Sequence, residues 1–303
     1  MSSTLRLRET IPLPPHPKGD FDHGDIDLKT GRVFVANTTA GAVEVINGEH
    51  LQHLATIPGC PEASGVLCAQ EEHLVFAAAR GAGKLLVIAT DTALVQQEIM
   101  VAPRPNGLAW DRERKHLLVA DVQENLAQLV DLQAGCVTAT AQLPGRPRWC
   151  LYRPADASFL INIREPACVV VVSASAFGLT RTFPISAGGP HGLALSQDGS
   201  RAWVACDEGF VITLDLLAGE ELARTPIAGL PDVLWHNHRL NRLYVSIAKP
   251  GVIEVINTIT MLVEEQLATE TGAHTTAYDA QRQRLYAFLP SCQAVVYEES
   301  EVS

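Results

Sequence analysis

The sequence predicts an all-β protein, a single seven-bladed β-propeller of four-stranded blades, and three observations predict it. A pair of strand-like runs separated by a polar turn occurs seven times. The recurrences keep a period of about 42 residues, which is the length of a four-stranded blade. One further strand-like segment near the N-terminus has no complete blade of its own.

The paired strands are GRVFVANTTAGAVEVIN (31–47), HLVFAAARGAGKLLVIA (73–89), HLLVADVQENLAQLVDL (116–132), SFLINIREPACVVVVSA (158–174), RAWVACDEGFVITLDL (201–216), RLYVSIAKPGVIEVIN (242–257) and RLYAFLPSCQAVVYEE (284–299). Val33, Val75, Leu117, Phe159, Ala202, Leu243 and Leu285 hold equivalent places, 42, 42, 42, 43, 41 and 42 residues apart. β-Branched and aromatic runs between turn residues exclude a helical repeat.

Between the pairs lie segments such as HLQHLATIPG (50–59), TALVQQEIMVAP (92–103), GCVTATAQLPG (135–145) and EELARTPIAG (220–229), each expected to be an outer strand and the crossing to the next blade. TLRLRETIPLPPHP (4–17) has the same character. It is expected to join the C-terminal strands, completing the last blade and covering a free sheet edge. The 303 residues then form one domain, and the 47% hydrophobic and 19% charged composition supplies a core without a disorder signature.

RVFVAN (32–37) and RLYVSI (242–247), followed by VEVIN (43–47) and VIEVIN (252–257), resemble the YVTN-type propeller repeat. The resemblance covers nearly the whole chain and extends to YncE-like and surface-layer-type propellers. In outline it is similar to gluconolactonase-like enzymes and to the haem-binding propeller of nitrite reductases. It implies the fold strongly and an activity weakly. Many proteins of this type are exported, whereas MSSTLRLRETIPLPPHPKGD (1–20) lacks the basic head and apolar run of a secretory signal, so a cytoplasmic location is expected.

In a propeller the innermost strand of each blade starts near one mouth of the central channel, where equivalent residues converge. Eleven residues before each marker stand Asp22, Ser64, Asn106, Arg148, His191, Asp232 and His274. The motifs FDHGD, EASGV, RPNGL, RPRWC, GPHGL, LPDVL and GAHTT carry them, and a one-residue shift would exchange Asp22 for His23. His191, His274, Asp232, Asp22 or His23, and Asn106 offer donors suited to a divalent metal such as Zn²⁺, Fe²⁺, Mn²⁺ or Ca²⁺. A bound ion would activate water or polarise a substrate oxygen, with His191, His274 and Asp232 as ligands or general base. Arg148 could hold a substrate carboxylate through two parallel hydrogen bonds, with Ser64 and Trp149 beside it. Alternatively, a water-filled channel needs only polar walls, and Arg148 could simply pair with Asp232 or Asp22.

Glu62 and Arg104, with Asp20 and Arg146, stand two residues before ring positions and are expected to form a charged rim that steers substrates, with Glu62 and Arg104 as substrate contacts, or else a solvated rim without specific contacts. His236 and His238 make an HxH pair placed toward the opposite end of the inner strand. Trp110, Trp203 and Trp235 are expected to fill space between blades, and Trp149 to have the better chance of touching a ligand. Seven cysteines without a CxxC pair suit buried free thiols. No GxSxG, HExxH, phosphate-loop or dinucleotide motif occurs, and AARGAGK (78–84) is a hairpin turn.

A formal charge of −11 without a basic run argues against nucleic acid, and no apolar stretch is long enough for a membrane span. The expected function is a metal-dependent hydrolase of the lactonase sort, or a lyase, acting on a small carboxylated substrate. The alternative is a binding module or interaction scaffold without catalysis. Electron transfer ranks last, since haem or quinone ligands are not found. The substrate, the ion and the oligomeric state are not legible.

Overall fold

A computed structural model describes residues 4–299. Seven four-stranded antiparallel sheets succeed one another along the chain, and six of them are built from consecutive strands. Blade 1 comprises Phe21–Asp27, Arg32–Asn37, Ala42–Asn47 and Gln52–Pro58, from the channel outward. Blades 2 to 6 repeat that order, with innermost strands Ala63–Ala69, Pro105–Asp111, Pro147–Arg153, Pro190–Leu195 and Leu230–Asn237. The seven marker residues each occupy the second position of the second strand, and each is fully buried.

Burial explains the strand patterns. Second and third strands are covered on both faces by neighbouring blades and many read as continuous apolar runs, such as Leu74–Ala79. Outer strands such as Gln52–Pro58 face water on one side and alternate. The core therefore lies between blades: Phe34, Val43 and Val45 of blade 1 pack on Val66, Val75 and Ala77 of blade 2. Among the described residues the only helix is the 3₁₀ turn Pro154–Asp156, and no helix is long and apolar enough to cross a membrane.

Blade 7 takes Thr275–Asp279, Arg284–Leu289 and Gln293–Glu299 from the C-terminal part, and its outermost strand is Leu5–Pro12. Pairing runs from Leu5 opposite Glu299 to Pro12 opposite Gln293. The expected closing segment is thus strand only over its first part. Its own Leu5 and Ile11 are buried against the core, which couples closure to core formation.

Candidate functional site

The innermost strands of blades 1 to 6 share an irregularity that builds the site. In blade 3, Pro105 pairs with Asp121 and Leu108 with Val119, so Asn106 and Gly107 together oppose one residue. The same register shift brackets Asp22 and His23, Ser64 and Gly65, Arg148 and Trp149, His191 and Gly192, and Asp232 and Val233. Such a bulge turns side chains out of the ordinary alternation. It also accounts for the one-residue ambiguity at Asp22 and His23.

Glycine in the second bulge position allows close approach between blades. A Cβ on Gly107 would stand 2.4 Å from the carbonyl oxygen of Arg148, and one on Gly192 2.4 Å from that of Asp232. Blades 1 and 4 carry His23 and Trp149 there, and the two rings meet with centroids 4.4 Å apart. Trp149 in turn meets Trp235 edge-on at 6.1 Å.

Above these rings runs a chain of ionisable groups. His191 Nδ1 lies 3.1 Å from Asp207 Oδ1, and its Nε2 lies 3.0 Å from Asp232 Oδ1. Asp232 Oδ2 lies 3.0 Å from His274 Nδ1, and His274 Nε2 is 3.3 Å from Asp20 Oδ1. Arg164 extends the chain, 2.7 Å from Asp207 Oδ2. Asn162 steadies His191 from the neighbouring blade by donating to the carbonyls of His191 and Gly192.

The electrostatics follow from burial and charge. Burial alone would lower the His191 pKa, yet Asp232 and Asp207 raise it to about 9. Burial would raise the Asp232 carboxyl, but His191, His274 and His23 hold it far below the usual range. Burial lowers His23, against the pull of Asp22 and Asp232, so its ring favours the neutral form. Burial raises Asp20, partly offset by His274.

The other half of the mouth is basic. Arg146 is lowered by burial and by Arg148, Arg164, Arg80 and Arg104, with no carboxylate among the main influences. Arg148 is lowered chiefly by burial, with Asp232 opposing, and its Nε is buried without a hydrogen-bond acceptor. It forms no direct ion pair among the described residues, so the expected pairing with Asp232 or Asp22 is replaced by attraction at longer range. Glu62 instead lies 2.7 Å from Arg104, and Arg80 bridges Glu62 at 3.6 Å and Asp22 at 3.4 Å.

The structure thus brings Asp22, His23, Arg148, His191, Asp232 and His274 to one mouth, with Asp20, Glu62, Arg104 and Arg146 at its rim. Ser64 is a correction: it is fully buried, and its hydroxyl donates to the carbonyl of Pro105 at 2.9 Å, so it ties blades together and faces no substrate. Asn106 is buried in the wall. Trp235 lines the channel, while Trp110 and Trp203 pack within the blades. His236 and His238 lie toward the other mouth, and the Nδ1 of His236 is 3.0 Å from the Leu195 carbonyl. Arg80, Arg164 and Asp207 were not anticipated. Each stands five residues after its marker, where the second strand ends opposite the start of the first, and counting forward as well as back would have found them.

The donors do not fit a divalent ion as arranged. Both ring nitrogens of His191 and of His274 are turned to carboxylate oxygens, so the imidazoles do not converge on a common point as ligands of one ion would. Among the described residues no three His, Cys, Asp or Glu side chains are grouped to hold one.

No family model matches the chain, and no curated protein matches it significantly in sequence. Among solved structures it is similar to the Kuenenia stuttgartiensis hydrazine synthase, with a TM-score of 0.85 at 12% identity over 96% of this chain and 98% of that one. At that identity the likeness supports the seven-bladed propeller and nothing finer.

Proposed function

We propose that the polar mouth binds a small carboxylate-bearing molecule and acts on it by proton transfer, as a hydrolase or lyase would. The observation that carries this is Arg148, whose buried Nε lacks an acceptor, beside the closely paired run Asp207, His191, Asp232, His274 and Asp20. A planar carboxylate would supply the missing acceptor for Arg148 and relieve the crowding around Arg146. Trp149 beside it offers a flat wall. His191 would act as the proton donor and Asp232 as the group that steadies its charge, with His274 completing the relay. The YVTN-type repeat resemblance is compatible with this reading, and a lactone ring opening to a carboxylate is one substrate chemistry that suits it.

A second reading, binding without turnover, draws support from the His191 pKa, since an imidazole that holds its proton to about 9 is a weak base near neutrality. One experiment addresses both. Calorimetric titration with mono- and dicarboxylates is paired with a turnover screen of lactones and carboxylated substrates, comparing the wild type with Arg148→Gln and with Arg181→Gln, a distant control on an outer strand. The expected result is carboxylate binding that weakens about tenfold or more in Arg148→Gln alone. Carboxylate binding equal in all three proteins would overturn the reading. Binding without turnover would select the second. Elemental analysis of the same samples tests the metal expectation, which requires His191 and His274 to turn away from their carboxylates.

A further inference from the structure

Beneath the paired rings of His23 and Trp149 the channel widens into a chamber of about 270 Å³. Its walls are mostly aliphatic, including Val66, Leu67, Leu108, Leu151 and Leu234, and its aromatic surfaces are Trp149 and Trp235. An apolar cavity of ~150 Å³ already accommodates benzene, so this one is roomy enough for a single-ring molecule with a short substituent.

One residue is foreign to this lining. Asp25 faces the chamber from blade 1, at a position that blades 2 to 7 fill with Leu67, Ala109, Leu151, Ala194, Trp235 and Ala277. Six apolar residues at that register show that the blade itself does not require a carboxylate. Asp25 Oδ1 accepts the Ile26 N–H and Oδ2 the Cys68 N–H, each at 2.8 Å, which fixes the group and leaves lone pairs on both oxygens.

Among the described residues no cation pairs with it. Burial raises its pKa to about 6, the two backbone donors lower it, and the one charged neighbour that acts on it is Asp27, of like sign. The carboxyl is therefore largely ionised at neutral pH. The two histidines of the lining bring no compensating charge, because burial lowers both His23 and His236. The thiol of Cys150 is occupied by the Arg148 carbonyl, and the Trp235 indole N–H by that of Thr276. An ionised carboxylate half-buried against apolar walls without a counter-ion is unfavourable, and an incoming cation offsets that penalty.

The geometry points to a second binding site, in which the chamber takes a small organic cation, an amine or ammonium group on a single ring or short chain, with Asp25 as counter-ion and Trp149 and Trp235 as walls. Indole faces attract cations as well as apolar carbon, and desolvation strengthens that attraction. The site is separate from the carboxylate site of the polar mouth. His236 lines both the chamber and a cleft of about 590 Å³ bordered by Ser196, Asp198 and Arg201, on the side away from the polar mouth.

The test is calorimetry on the full chain near neutral pH with benzylamine, tetramethylammonium and the neutral isostere benzyl alcohol. Benzylamine is expected to bind at least about tenfold more tightly than benzyl alcohol. Asp25→Leu, which installs the residue of blades 2 and 4, is expected to reverse that order. Arg148→Gln should leave it unchanged, which separates this site from the mouth. Equal affinities for amine and alcohol in the wild type, or no binding of either cation, would overturn the proposal whatever the variants do. Should Asp25→Leu fail to fold, Asp25→Asn serves in its place, and undiminished amine binding in that variant would also overturn it.

Discussion

Burial disfavours the imidazolium of His191, but Asp232 and Asp207 draw its pKa up to about 9, and this fixes the sign of its pH response. A folded-state pKa above the unfolded value near 6.5 gives stability that is complete below about pH 6.5 and lost as pH rises through 9. Urea denaturation at about pH 6 and about pH 9 should show a loss of up to ~3 kcal/mol in the wild type and a flatter profile in His191→Gln. Asp232 acts on the other side: its depressed pKa contributes stability above the ordinary carboxylate range that disappears toward strong acid. Gly107→Ala would bring a Cβ to 2.4 Å from the Arg148 carbonyl. It is expected to destabilise the fold by ~1–3 kcal/mol and to weaken carboxylate binding by displacing Arg148, read by denaturation and calorimetry together.

The strand Leu5–Pro12 is the element on which closure depends. Ile11→Ala empties a fully buried site and is expected to lower stability by ~2–5 kcal/mol while unfolding remains a single transition; a separate early transition would mean that blade 7 opens alone. The periodicity that located this strand also located the ring, because each bulge holds its place in a repeat of fixed length. Burial of Val33 and its six counterparts could be read from their spacing. Ser64 could not be separated from Arg148 by the same count, since the sequence shows a bulge position but not which way its side chain turns. Arg164 and Asp207 lie in the turns that follow the second strands of blades 4 and 5, and only the antiparallel pairing and the meeting of the two blades bring Asp207 beside His191 and Arg164 beside Asp207. The pairing of both imidazoles with carboxylates also depends on rotamers and distances across blades, which a residue list that suits a metal equally well does not encode.

Across the whole molecule, six of the seven cysteines are buried and only Cys136 is exposed. Burial raises the thiols of Cys60 and Cys206 to about 12 and of Cys168 to about 11. A thiol reagent at mildly alkaline pH should therefore modify one cysteine in the folded protein and seven after denaturation, counted by mass spectrometry. Rapid modification of a second thiol without denaturant would show that a gap between blades opens readily. Trp149 touches His23 on one side and Trp235 on the other, so it is a wall common to the polar mouth and the apolar chamber. An anion settling above and a cation settling below would press on the same indole, so each should change the other's affinity by an equal factor, and Trp149, one of the four tryptophans that emit, would sense both events.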